Sequence, residues 1–159
     1  MVSATLLLSG CTGWQQMQFR QDDRLHIEAP ENLATVRLPF TVRWRMSDFT
    51  PATGGEASSR RGRFAVFVDG YPMPPGKGLR GIVDTFPTCR GNDQCFAPDF
   101  LSQRWGIYVT TRTQVMVHSF PVSHTDTGDN THFATIVLLD TAGQRIGESV
   151  WYVSFRVKV

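Results

Sequence analysis

The chain of 159 residues lacks the short motifs that mark common catalytic centres. It contains no Gly-x-Ser-x-Gly, Ser-x-x-Lys or His-Glu-x-x-His motif, and no glycine-rich phosphate loop. The residues closest to a catalytic group, Ser123, His124 and Asp126, are neighbours in one polar stretch, which gives no sign of a rigid pocket. We therefore expect a protein without enzymatic activity and without a cofactor.

The chain also lacks long apolar runs and a strong net charge. Its longest N-terminal apolar stretch, Val2 to Leu8, is far shorter than the roughly 20 residues of a membrane-spanning helix. The 16 basic and 14 acidic residues give a net charge of +2, and the basic residues do not cluster on one segment as nucleic-acid binding requires. The sequence thus predicts neither a spanning helix nor a nucleic-acid partner, and its length fits one domain.

Cysteine is scarce, and the first of the three cysteines follows the N-terminal apolar stretch as Leu8-Ser9-Gly10-Cys11. A core cysteine at the end of a short strand is the alternative, but the small pair Ser9-Gly10 is unusual there. The pattern resembles the lipobox of bacterial lipoproteins. An export signal also has a basic start, which we expect upstream of Met1.

The lipoprotein resemblance implies that residues 1–10 are the remnant of a signal peptide and that Cys11 is acylated after cleavage. Two or three acyl chains on Cys11 would anchor the protein stably to a membrane. Residues 11–23 would then be the lipidated cysteine and a polar linker. The expected location is the extracytoplasmic face of the cell envelope, in an outer leaflet or the outer membrane.

Cys89 and Cys95 enclose five residues, Arg-Gly-Asn-Asp-Gln. No second ligand pair or nearby histidine suggests zinc, and the Cys-x-x-Cys spacing of a redox-active pair is missing. In an exported chain the pair predicts a disulfide that fixes one loop and contributes roughly 2 kcal/mol.

Alternating apolar and polar residues predict β-strands from Arg24 onward. The clearest segment is Val36 to Met46, where Pro39 implies an edge or a bulge. Seven to nine short strands with almost no helix indicate an all-β sandwich. The predicted core comprises Leu38, Phe40, Val42, Trp44, Val66, Val68, Ile136, Leu138, Val153, Phe155 and Val157.

Three segments carry a resemblance to bacterial immunoglobulin-like domains: the strand ending in Trp44, the strand and turn at 64–70, and the closing hairpin from His132 to Val157. The resemblance implies an immunoglobulin-like β-sandwich over residues 24–159, with loop inserts at 50–62 and 87–104. The sequence departs from antibody domains because Cys89 and Cys95 are too close along the chain to join two sheets.

The insert at 87–104, preceded by a possible strand at 79–86, is the candidate contact surface. It brings together aromatic and aliphatic residues of the kind that interface centres contain: Phe96, Phe100, Leu101 and the adjacent Trp105. The alternative is that these residues only cap one end of the sandwich. A short helical turn is expected near Asp99.

Two polar clusters could also bind. His118, His124 and His132, with Asp126 and Asp129, fall within fifteen residues and could hold copper or zinc, although a solvated loop has the same composition. Arg60, Arg61 and Arg63 could contact anionic lipid headgroups, or could simply face solvent.

The sequence therefore favours a membrane-tethered, non-enzymatic binding or assembly module with a possible protein partner at the cell surface. A metal-binding accessory lipoprotein is the alternative.

Overall fold

The computed structural model describes residues 22–121 and 130–158. The segments that contain Cys11 and His124 lie outside these residues. The strands are β1 (Leu25–Ala29), β2 (Ala34–Val36), β3 (Phe40–Met46), β4 (Thr50–Pro51), β5 (Arg61–Val68), β6 (Ile107–Thr110), β7 (Gln114–Val117), β8 (Thr131–Leu139) and β9 (Trp151–Val157). The helices are α1 (Arg80–Val83) and α2 (Pro98–Trp105), with 3-10 turns at Pro87–Cys89 and Asp93–Phe96. Within this part of the chain, no helix is long and apolar enough to cross a membrane.

The strands form two sheets that pack face to face, as the predicted all-β sandwich requires. One sheet has the antiparallel order β1-β3-β7. The other has the order β2-β9-β8-β5-β4, with β6 also pairing with β5. The core between them is built from alternate residues of both sheets, including Val42 and Trp44 from β3, Phe64 and Val66 from β5, and Phe155 from β9.

The predicted strand from Val36 to Met46 is divided between the two sheets. Val36 ends β2, which pairs in parallel with β9, whereas Phe40 begins β3 in the other sheet. Pro39 has no N–H to donate to a ladder, and the chain crosses between the sheets at this point. The prediction of Leu38 as a core residue was wrong: its side chain is 39% exposed, because the alternation does not continue through the crossing.

The segment between β5 and β6, residues 69–106, forms a third layer on the outer face of the larger sheet. Ala65 and Phe67 of β5 pack there against Met73, Val83 and Leu101 in a second core. Residues 64–68 and 134–139 are consequently buried on both faces of the sheet. We name residues 69–106 the insert layer.

The predicted strand at 79–86 was wrong, since this stretch contains helix α1. Leu79, Ile82, Val83 and Phe86 recur at the spacing of one helix face, and all four belong to the second core or pack against it. The expected turn near Asp99 is the two-turn helix α2, which starts with Pro98 and ends at Trp105, and is followed by its C-cap Gly106 at a φ of +65°.

The predicted disulfide joins Cys89 to Cys95 within the insert layer. Both cysteines are buried in the second core. The bond therefore connects two 3-10 turns that cover the larger sheet, rather than an exposed loop.

Candidate functional site

A cleft of about 590 Å³ opens where the insert layer meets the edge strand β6 and the turn after β8. Its walls combine cationic, hydroxyl and apolar groups from segments far apart in the sequence. They are Thr53, Arg63, Gly78, Leu79, Arg80, Phe96, Pro98, Leu101, Val109, Thr110, Thr111, Arg112, Ala142 and Gly143. We call this the arginine cleft.

Arg63 enters the cleft from β5. Odd-numbered residues of β5 face the insert layer, as Ala65 and Phe67 do, so Arg63 lies on that face just beyond the second core. Its guanidinium lies against the turn after β8, where a side-chain carbon at Gly143 would be 3.3 Å from Arg63 Nη2. Arg63 Nε is buried and has no hydrogen-bond partner among the described residues.

Arg80 and Arg112 enter from two further elements. The Arg80 guanidinium lies 4.7 Å from the centroid of the Phe96 ring, and its Nη2 is 3.2 Å from Asp93 Oδ1 in a pair that is largely exposed. Arg112 is exposed and follows β6, where its backbone N–H donates to Thr110 Oγ1 at 2.9 Å. No carboxylate is found among the described residues that line the cleft, so the local charge is positive.

The predicted contact residues of the insert divide between the second core and the surface. Leu101 and Trp105 are only 4% and 8% exposed, because α2 turns them onto the larger sheet. Both residues pack in the second core, and Leu101 also forms part of the cleft wall. Phe96 is half-buried in that wall, while Phe100 is 40% exposed with its ring centroid 5.4 Å from that of Trp105.

The histidines predicted as metal ligands lie in different environments. His132 is buried in the main sandwich, where its Nδ1 is 2.7 Å from Asp69 Oδ2 and its ring stacks on Phe120 at 4.0 Å. His118 is exposed just after β7, and His124 lies outside the described residues. In residues 22–121 and 130–158, no group of three or more His, Cys, Asp or Glu could hold a metal ion.

Of the predicted arginine triplet, Arg60 and Arg61 are exposed, whereas Arg63 is half-buried in the cleft. Sequence reasoning missed Arg80 and Arg112 as site residues. Period-two alternation could have placed Arg63 on the outer face of β5, but nothing in the sequence indicated that the insert layer would cover this face.

A second groove, of about 500 Å³, runs between β1 and β9. Asp22, His26, Asn32 and Tyr152 supply its polar groups. Asp22, the carboxylate in this lining, is held by hydrogen bonds from Arg24 and Ser149. We call it the edge groove.

Comparison of the chain with known protein families, curated proteins and solved structures gives no match. The assignment of function below therefore depends on the residues and the geometry of the chain itself.

Proposed function

We propose that this protein is a membrane-tethered extracytoplasmic lipoprotein that acts as a non-enzymatic binding module. The observation that carries the proposal is the arginine cleft, in which three cations surround an apolar wall. Such a lining, with a few polar groups over apolar side chains, is typical of ligand sites. Rigid β-strands and a disulfide-linked layer hold this lining in place.

We further propose that the sandwich is immunoglobulin-like. In that fold, strands A, B and E share one sheet and strands C, F and G share the other. The orders β1-β3-β7 and β5-β8-β9 correspond to these two sets. The insert layer then stands directly after the strand that corresponds to C. The core Trp44 lies on β3, the counterpart of strand B, whereas antibody domains carry theirs on C.

The lipid anchor is proposed from Leu8-Ser9-Gly10-Cys11. When the natural gene is expressed with its complete export signal, we expect mass spectrometry to find a diacylglycerol on Cys11. Cys11→Ala should release the protein from membranes, and Thr12→Ala serves as the matched control. An unmodified Cys11 together with unchanged membrane association of the variant would contradict the anchor.

Binding in the cleft is tested by filling it without changing its charge. Val109 lies on β6 in the cleft wall, so Val109→Trp would place a large side chain in the opening. Met116→Trp is the matched control, because Met116 is exposed on β7 in the other sheet. The full chains are incubated with a small-molecule extract of the cell envelope, and retained molecules are identified by mass spectrometry.

We expect the wild type and Met116→Trp to retain the same molecule and Val109→Trp to lose it. Identical retention by all three proteins would contradict binding in the cleft, as would retention by none.

A further inference from the structure

We infer that the arginine cleft takes a small ligand that carries an oxyanion, a carboxylate or a phosphate, beside an apolar or aromatic portion. This inference rests on the proposed binding function and adds the chemical class of the ligand.

The charges of the cleft favour an anion. Arg63, Arg80 and Arg112 come from β5, α1 and the segment after β6, so the fold and not a local sequence run brings them together. Among the three arginines, only Arg80 forms an ion pair with a described carboxylate. The partner is Asp93, and the pair is largely exposed at the rim of the cleft. Three guanidinium groups without a lining carboxylate produce a field that attracts and orients an anionic group.

Arg63 is the residue that indicates an oxyanion rather than a diffuse negative charge. A guanidinium presents its N–H groups as a planar fork that fits the two oxygens of a carboxylate or phosphate. The buried Nε of Arg63 has no acceptor in the described protein, and an unpaired buried donor is costly. An oxyanion in the cleft would supply an acceptor for the Arg63 guanidinium, and the Thr110 and Thr111 side chains can add hydroxyl donors.

The apolar wall indicates that the ligand has more than an oxyanion. Phe96, Leu101 and Val109 present ring and aliphatic carbons to the same cleft. Arg80 already lies on the Phe96 ring, which holds a cation beside an apolar surface. A ligand with an apolar or aromatic portion would remove this wall from water.

The test uses the full chain and three probes: phenyl phosphate, inorganic phosphate and the neutral benzyl alcohol. Binding is followed by NMR at constant ionic strength, at the backbone amides of β6 and, in the chains that keep Arg63, also at its Nε–H resonance. We expect saturable shifts with both phosphates, tighter binding of phenyl phosphate, and little shift with benzyl alcohol. Arg63→Gln and the exposed Arg112→Gln should each weaken phenyl phosphate binding by about tenfold or more, as the loss of a charge-assisted hydrogen bond implies.

If Arg63→Gln does not fold, Arg112→Gln still tests the inference. The backbone amides of β6 then report its binding of phenyl phosphate. Arg156→Gln is the matched control, because Arg156 is exposed on β9, on the other side of β8 from β5, and it should bind like the wild type. Vesicles of phosphatidylglycerol, compared with phosphatidylcholine, show whether a lipid headgroup can supply the oxyanion. Saturable shifts with these vesicles, lost in Arg112→Gln, would support the inference with a lipid as the source.

The inference is overturned if no anionic probe shifts the cleft resonances, or if Arg112→Gln binds as tightly as Arg156→Gln. The envelope extract could instead contain a neutral ligand that binds the wild type and not Val109→Trp. In that case the proposed binding function is supported, and only the inference that the ligand carries an oxyanion is refuted.

Discussion

At the scale of the residue, Trp44 shows how much the main core depends on one side chain. It is 1% exposed, and its ring lies 5.2 Å from Phe64 on the facing sheet in an edge-on contact. Trp44→Ala should lower the free energy of unfolding by about 3 to 5 kcal/mol, the range for large buried aromatics. Urea unfolding measures this loss, with the exposed Met116→Ala as the control. A loss below about 1 kcal/mol would show that Trp44 is not a core residue.

Asp22 connects the first described residues to the start of β9. Its Oδ2 accepts hydrogen bonds from Arg24 Nη2 and Ser149 Oγ, both at 2.7 Å. The Arg24 hydrogen bond, partly opposed by burial, lowers the pKa of Asp22 from 3.8 to about 2. Because this pKa is lower in the folded state, Asp22 stabilises the protein above about pH 4, and this contribution disappears as the pH falls towards 2.

Asp22→Asn should therefore lower the free energy of unfolding most near pH 6, with a difference from the wild type that shrinks between pH 4 and pH 2. The measurement is urea unfolding across this range, with the exposed neighbour Asp23→Asn as control. A difference that does not change with pH would refute the role of the Asp22 carboxylate.

At the scale of the element, the insert layer is joined to the β8–β9 connection through Arg145. Its Nη1 donates to the Met73 carbonyl at 2.6 Å, and its Nη2 donates to the Glu148 carbonyl at 3.0 Å. The backbone of Arg145 also pairs with Gly76 and Lys77. Burial lowers the pKa of Arg145, which the nearby Glu148 partly offsets.

Arg145→Leu should cost about 1 to 3 kcal/mol, because it removes the donor to the Met73 carbonyl in a buried hydrogen bond and the donor to the partly buried Glu148 carbonyl. We expect hydrogen exchange to accelerate in the insert layer near Gly76 while β3 keeps its protection. Arg156→Leu, which changes an exposed arginine on β9, is the control. Equal exchange in the two variants would show that Arg145 does not hold the insert layer in place.

The elements also show which parts of the fold the sequence predicts. Period-two alternation predicts β3 and β9, since one face of each strand is buried in the main core, whereas β5 and β8 are buried on both faces and stand out as short, nearly continuous apolar runs. Prediction from period-two alternation fails in two places. At Leu38 the chain changes sheets, so the side chain is exposed. At residues 79–86 the apolar residues have helical spacing, but the stretch is too short to distinguish this spacing from alternation. The many turn-forming residues predict that the insert is irregular, but this composition does not indicate which face of the sandwich the insert covers.

The arginine cleft was not predictable for the same reason. Arg63, Arg80 and Arg112 are separated by 17 and 32 positions in the sequence, and each alone is typical of a solvated surface. They converge only because the insert layer folds back over β5 and β6. The disulfide could be predicted because Cys89 and Cys95 lack the ligand pattern of a zinc site and the Cys-x-x-Cys spacing of a redox-active pair.

At the scale of the whole molecule, two openings lined by described residues differ in their chemistry. The arginine cleft is cationic and partly apolar, whereas the edge groove between β1 and β9 contains a carboxylate, a histidine and an exposed tyrosine. A binding module with a lipid anchor would present its ligand site on the domain, beyond the polar linker of residues 12–23. The proposed ligand site is the arginine cleft.

The most direct test is hydrogen exchange of the full chain with and without the small-molecule extract of the cell envelope, read peptide by peptide. We expect increased protection at residues 78–80, 96–101 and 109–112, which include the residues of the insert layer and of the β6 region that line the cleft. Protection confined to residues 25–32 and 150–153 would assign binding to the edge groove. Either that result or unchanged exchange throughout the chain would contradict ligand binding in the arginine cleft.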